Sequence, residues 1–299
     1  MRDIFVEQLT AEIDKDPSII LITADLGFGS FDNLSKNYPD NFLNVGVAEQ
    51  NMIGVAAGMA IRGRKPFCYS IGNFATLRCL EQIRNDAAYH GLNITVVSNG
   101  GGFSYGGLGV THHATEDVSV MFSIPEVEIL TPSSDFEVKE AVKLCCKLES
   151  TKYLRLDKSF IQDEHEKEFQ PLRNIRTGED LKIFSYGGII EEAFKLSKML
   201  DHLSIGIISV PMISSINSEM VIKQLGSSKY AIVIEENASN GGLGSLLSSI
   251  LMESNHRLDY FRIFSINRKF SEVVGDQEYM RKYFEIDASS IFKEVSKKI

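Results

Sequence analysis

The stretch GVAEQNMIGVAAGMAIRG, residues 46–63, decides how the chain is read. It follows a short apolar strand expected at residues 42–45. Within it Met52, Val55, Ala56, Met59 and Ala60 recur at the spacing of one helical face, so the segment reads as a buried helix with Glu49 at its entrance. Gly54 and Gly58 lie one turn apart, and each costs a helix roughly 1 kcal/mol relative to alanine. Another backbone is therefore expected to pack closely there, at a subunit or domain interface. Glu49 is then a carboxylate placed where a helix meets an interface. Burying it unpaired would be costly, which calls for a hydrogen-bonding partner. The plain alternative is a helix-start acid favoured by the macrodipole.

Toward the N-terminus, residues 5–13 read as an amphipathic helix and residues 18–23, SIILIT, as a buried strand. Ligands gather at the carboxyl ends of parallel strands, so the following loop ADLGFGS, with Asp25 and Leu26, is a candidate site. Beyond the central helix come a strand at 66–71 ending in Ile71, a helix at 74–89 opening with Phe74 and carrying Arg78, and a strand at 94–98. A strand at 127–130, a helix at 135–148 and a strand at 153–156 complete the first alternation. The chain then turns polar and charged. This predicts a first domain over 1–160, a linker over 161–180 and a second domain over 181–299. In the last, strands at 181–186, 205–210 and 230–235 alternate with helices at 190–200, 218–225 and 243–252. The fold class is α/β, two domains that are each a mainly parallel sheet flanked by helices. No catalytic cluster stands out in the second domain, whose expected role is assembly and shaping the rim of a cleft.

Between the strands at 94–98 and 127–130 lies NGGGFSYGGLGVTHHATED, residues 99–117, with six glycines between Gly100 and Gly109. Neither G-x-G-x-x-G nor a terminal Gly-Lys-Ser/Thr is present, which argues against a nucleotide loop. A loop of this length inside a compact domain is usually functional or disordered, and the pair His112 and His113 beside Thr111, Glu116 and Asp117 favours an active-site segment. A histidine here could donate to substrate oxygens or relay a proton. No carboxylate–histidine spacing on one face supports a metal site.

Net charge is −9, with lysines and arginines scattered rather than massed, so neither nucleic acid nor an anionic membrane is a natural partner. The first residues carry no apolar signal core and no run of about 18 apolar residues occurs, so a cytoplasmic protein is expected. Cys68, Cys79, Cys145 and Cys146 fit neither a disulfide framework nor a zinc spacing and read as reduced core residues.

The motif around Glu49 resembles the pyrimidine-binding domain of thiamine-diphosphate enzymes of the transketolase group. The resemblance extends over nearly the whole chain: Arg2, ADLG at 24–27, GVAEQN at 46–51, NFATLR and EQIRND within 73–86, GVTHHATED at 109–117, TPSSDFE at 131–137, YLRLDKS at 153–159, and EEN followed by GGLGS within 235–245. It is similar to the C-terminal half of transketolase as found in split enzymes, where two polypeptides share one activity. The resemblance implies that Glu49 activates the aminopyrimidine of thiamine diphosphate, with Phe74 packed on that ring, Ile71 near it, and Asp25 and Leu26 near the thiazolium. It implies that His112, with His113 beside it, meets the sugar, and that Arg2 and one of Arg155 or Lys158 lie near a sugar phosphate. A positioned acid suits this chemistry, because a bond to a ring nitrogen favours the imino tautomer that takes the thiazolium proton. The activity implied is transfer of a two-carbon ketol unit from a ketose phosphate to an aldose phosphate by carbanion chemistry of the cofactor.

Two departures from the family pattern stand out. Ile71 stands where transketolases usually offer a further aromatic, so the pyrimidine pocket is expected to be more aliphatic. Leu108 stands where they commonly place an Asp that reads a donor-sugar hydroxyl, so the donor is expected to differ or to be read by other groups. The Gly-Asp-Gly motif that binds the diphosphate with its Mg2+ or Ca2+ is also missing, since Gly275-Asp276 is followed by Gln277. A partner subunit carrying that domain is implied, in a two-plus-two assembly, with this chain inactive alone. Rival readings are a 2-oxo-acid dehydrogenase beta-type subunit, a 1-deoxyxylulose-5-phosphate-synthase-like enzyme, and a catalytically silent regulatory subunit. GGGF and Leu108 keep the first two open; retention of Glu49 argues against the third.

Overall fold

Short runs of β-branched and aliphatic residues form the strands of the first sheet: β1 Ile19–Thr23, β2 Phe42–Asn44, β3 Lys65–Ile71, β4 Ile94–Asn99, β5 Val127–Leu130 and β6 Thr151–Leu156. In this computed structural model, which describes residues 1–162 and 168–299, they lie in the order β2-β1-β3-β4-β6-β5, all parallel. Every residue of β1 is buried, as expected for a parallel strand covered on both faces. Order reverses at β1, with β2 on one side and β3 on the other. That switch point leaves a crevice at the carboxyl ends, into which the loops after β1 and β3 open.

The second sheet runs β11-β10-β8-β9-β7, with β7 Arg173–Arg176, β8 Leu181–Ser185, β9 Ile205–Ser209, β10 Tyr230–Ala238 and β11 Tyr260–Ile266. Here the structure departs from the sequence reading. β7 lies inside the stretch read as linker, where it pairs antiparallel with β9 along the sheet edge. Residues 163–167 of that stretch lie outside the described residues. β11 and the helices Gln277–Tyr283 and Ala288–Val295 follow the last element foreseen.

The helix expected at 74–89 is broken. A turn at Gly72–Ala75 gives way to tighter and wider turns, ending in a π-helical segment at Ile83–Ala88. Thr76 marks the break, since its hydroxyl bonds back to the Gly72 carbonyl at 2.9 Å and competes with the helical ladder.

Arg155 is 1% exposed and joins the two domains. Its guanidinium donates to Asp117 at 2.9 Å, Asp157 at 3.2 Å and the Glu236 carbonyl in β10 at 3.2 Å. At the other end of the contact, Ser134 caps the Asp135–Lys147 helix by accepting from Glu137 N–H at 3.1 Å. Glu137 accepts from the N–H of Ser133, the residue before the cap, and from Ser209 and Arg173 of the second domain. The two sheets are thus bonded together through charged groups that water cannot reach.

Glu235 is buried in the same contact, accepting from the N–H groups of Leu243 at 2.8 Å and Gly244 at 3.1 Å. Burial pushes its carboxyl from 4.5 up to about 7. The folded chain therefore holds this proton more tightly than the unfolded one, so the group's stabilisation is complete below pH 4.5 and is lost as pH rises toward 7. Denaturant unfolding of Glu235→Gln against the parent should show the variant gaining relative stability across that window, by roughly 3 kcal/mol at pH 8. A difference independent of pH would contradict this.

Candidate active site

Glu49 begins the Glu49–Ile61 helix directly after the loop that leaves β2. It is 3% exposed. Its carboxylate accepts from Arg78 Nη1 at 2.7 Å and, at a long 3.4 Å, from the Ser70 hydroxyl of β3. The partner that burial called for is thus present. Gly54 and Gly58 sit on the opposite, exposed side, and no atom outside their own helix lies within 4 Å of a Cβ built on either. Among the described residues no second element packs there, so a domain interface between them does not explain the two glycines. Val47 and Ile61, 77% and 69% exposed, extend the same open face.

The neighbouring strand ends supply the other groups. Asp25, in the left-handed region at φ 56°, exchanges two 3.0 Å hydrogen bonds with Asn44, and Asn44 also accepts from Gly46 N–H at 2.9 Å. The β1 loop carrying Asp25 and Leu26 is thereby tied to the loop that delivers Glu49. Ile71 ends β3 and Phe74 follows it. The Phe74 ring lies 4.2 Å from the Arg78 guanidinium carbon and 5.1 Å from the ring of His112. Beyond His112 comes Tyr105, at 6.4 Å, and over the Tyr105 face stands the Lys158 ammonium at 4.4 Å. Asn99, the last residue of β4, donates to the Tyr105 hydroxyl at 2.8 Å. Glu49, Arg78, Phe74, His112, Tyr105 and Lys158 form one continuous track.

At its far end Arg2, Asn99, Tyr105 and Lys158 line a cavity of about 360 Å³. Asp3, paired with Arg2 at 2.9 Å, and Asp157 line it as well, so an entering anionic group would meet Lys158, an Arg2 already shared with a carboxylate, and two hydrogen-bonding side chains. The structure thereby separates residues that the sequence left together. Arg155 is committed to Asp117 and Asp157, so of the two basic alternatives Lys158 is the one at the cavity. His113 turns away from the cleft, its Nε2 donating to the Gly106 carbonyl at 3.0 Å and its ring packed edge-on against Phe103. His112 stays half-buried beside Phe74.

Tyr105, Asn99 and Arg78 went unread as site residues. Arg78 stands one turn after Phe74 in NFATLR, and Tyr105 is one of two aromatics in the glycine-rich loop; those were the available signals. The second domain also does more than shape a rim. Glu236 accepts from Phe103 N–H at 2.9 Å while held by Gln277 and Arg281, each at 3.0 Å, and so clamps the glycine-rich loop.

A two-domain α/β chain whose buried carboxylate, histidine and side cavity lie along the strand ends of one parallel sheet has the layout of an α/β enzyme. The families described as "Transketolase, pyrimidine binding domain" and "Transketolase, C-terminal domain" match residues 1–162 and 172–291, and the chain belongs to the transketolase family. It is 28% identical to one of the subunits of the apulose-4-phosphate transketolase of Actinobacillus succinogenes, over 97% of this chain and 96% of that one. It is 32% identical to a 6-deoxy-6-sulfo-D-fructose transketolase subunit of a Clostridium species, over 98% and 92%. Among solved structures it superposes on a split-gene transketolase described as an inactive beta4 tetramer with a TM-score of 0.88 at 25% identity, covering 99% of this chain and 97% of that one.

The family implies thiamine diphosphate. Glu49 is a buried carboxylate whose partner Arg78 lies against the Phe74 ring, a donor set that fits the edge and face of an aromatic heterocycle. Among the described residues no group of three or more His, Cys, Asp or Glu could hold a metal ion, and no helix is long and apolar enough to cross a membrane.

Gly100, at φ +89°, lies under Tyr105, whose ring stands 2.2 Å from where a Cβ would be. Gly100→Ala should cost about 1–3 kcal/mol in urea unfolding, because strain and overlap add, and should displace Tyr105 from Lys158. An unchanged midpoint would show that the ring yields freely.

Proposed function

We propose that this chain is the pyrimidine-binding subunit of a cytoplasmic thiamine-diphosphate-dependent transketolase, acting with a diphosphate-binding partner that holds Mg2+ or Ca2+ in a two-plus-two assembly. The observation that supports the reading is the track from Glu49 to Lys158, with a buried carboxylate at one end and the cavity lined by Arg2 and Lys158 at the other. When bound, the cofactor would supply a stabilised carbanion equivalent that carries the two-carbon unit between a ketose phosphate and an aldose phosphate. Glu49 would hydrogen-bond a pyrimidine ring nitrogen and so favour the imino tautomer. Asp25 and Leu26 would lie near the thiazolium, and Ile71 would offer the pyrimidine an aliphatic wall. His112, within 3.0 Å of the Thr111 hydroxyl, presents an imidazole to sugar oxygens, and Arg2 with Lys158 receives the phosphate.

The partner is supported by the open face of Gly54 and Gly58, and by the inactivity stated for the beta-only tetramer that this chain resembles. A two-carbon transfer assay with this chain alone, and then with the partner subunit, magnesium and thiamine diphosphate, should show turnover only in the mixture. Glu49→Gln should lower kcat in the mixture by at least about 100-fold, as loss of a positioned acid does. Activity of the chain alone, or full activity of Glu49→Gln, would overturn the reading; the second result would favour a silent subunit.

Leu108 is 60% exposed and its side chain accepts no hydrogen bond, so no acceptor at that position reads the donor sugar. In a panel of ketose phosphates, Leu108→Asp should raise kcat/KM for xylulose 5-phosphate by about tenfold relative to the parent's preferred donor. High xylulose 5-phosphate efficiency in the parent chain would remove the basis for this expectation.

A further inference from the structure

Strand pairing between β1 and β2 ends at Thr23 and Asn44, where the Val45 N–H makes a last bond to the Thr23 carbonyl at 3.0 Å. Past that point the two segments part: one becomes the loop of Asp25 and Leu26, the other turns through Gly46 into the Glu49 helix. Among the described residues, the hydrogen bonds that join these two loops pass through the side chain of Asn44. Its Oδ1 accepts from the Asp25 N–H at 3.0 Å and from the Gly46 N–H at 2.9 Å, and its Nδ2 donates to Asp25 Oδ1 at 3.0 Å. Two backbone donors can be met only by the amide oxygen, so the amide has one orientation and its nitrogen faces the carboxylate. Asp25, at φ 56°, is in a conformation disfavoured for an L side chain and kept where surrounding bonds hold it. Leu26 is held differently, by its own strand: the Thr23 hydroxyl accepts from its N–H at 3.3 Å and donates to its carbonyl at 2.9 Å. All three Asn44 bonds lie open to solvent, so they add little to stability, and what they contribute is direction.

We propose that Asn44 is a positioning residue for the transfer reaction. It aims the Asp25 carboxylate and fixes the spacing between the Asp25 loop and the helix entrance that carries Glu49. The inference rests on the assignment of Asp25 to the thiazolium end of the cofactor and of Glu49 to the pyrimidine end. Two carboxylates from different strands that serve the two ends of one ligand must keep a set separation, and a displacement of about 1 Å at such a site costs on the order of 100-fold in rate. Two substitutions take the roles of the amide apart. Alanine frees both N–H groups and the carboxylate, so the loops are no longer joined. Aspartate keeps an acceptor for both N–H groups, but has no N–H to offer and sets a second negative charge beside Asp25, so the loops stay joined while the carboxylate is pushed away.

The test compares the parent with Asn44→Ala, Asn44→Asp and Asp25→Ala. Amide hydrogen exchange on the full chain reads the N–H groups of Asp25 and Gly46. In the complex assembled with the partner subunit and magnesium, calorimetric titration of thiamine diphosphate and steady-state turnover read the site. Asn44→Ala should speed exchange at both amides by at least about threefold, weaken cofactor binding by about fivefold and lower kcat by about tenfold. Asn44→Asp should leave exchange near the parent's while affinity and kcat fall as they do in the alanine variant. Restored affinity and kcat in Asn44→Asp would reduce Asn44 to a structural link and overturn the proposal, as would parent-like exchange or parent-like kcat in Asn44→Ala. Should Asn44→Ala fail to fold, Asn44→Asp decides by the same readouts. Parent-like binding and turnover in Asp25→Ala would remove Asp25 from the thiazolium end, and the proposal with it. Impairment of Asp25→Ala with both Asn44 variants unaffected would leave that assignment standing and remove only the role of Asn44. A parent complex that takes up no thiamine diphosphate would remove the transketolase reading itself.

Discussion

The guanidinium of Arg155 is the contact on which the arrangement of the cleft depends. It is sealed from water between Asp117, Asp157 and the backbone of β10, and each of those groups belongs to a different part of the site's scaffold. Asp117 opens the helix that receives the glycine-rich loop, Asp157 stands next to Lys158, and Glu236 clamps that loop at Phe103. Burying such a cluster is no guarantee of stability, since an apolar replacement of the whole can be neutral, but removing one member typically costs about 3–5 kcal/mol. Its effect is geometric: the ends of β4 and β6 cannot shift relative to the second domain without exposing an uncompensated charge.

Burial there contrasts with the pairing at Glu49. Asp117 and Asp157 meet a cation as buried as themselves, whereas the arginine side chain that pairs with Glu49 is 43% exposed.

Much of this was legible in the residues. Alternation of apolar runs with helical periodicity placed every strand of the first sheet to within about two residues, the strand-end rule pointed to Asp25, and loop length with the histidine pair pointed to the glycine-rich loop. The motif around Glu49 carried the family resemblance. Less legible was anything that depended on a second segment far away in sequence. β7 is short, polar at every position but Ile175 and set within the charged stretch, so nothing local marks it as a sheet edge.

By itself the sequence determined the two-sheet α/β class, the placement of Glu49 at a helix entrance, and the candidate loops, because all of these follow from local periodicity and from residue types adjacent in the chain. Only the tertiary structure decided between neighbours. Arg155 and Lys158 stand three residues apart, but one lies within β6 where the second domain covers it, and the other lies past the strand end beside open cavity. His112 and His113 are adjacent, and the choice between them was made by the Gly106 carbonyl and Phe103, which draw one ring inward. Whether a charged side chain faces ligand or protein depends on which distant surface closes over it, and that is a property of packing between domains.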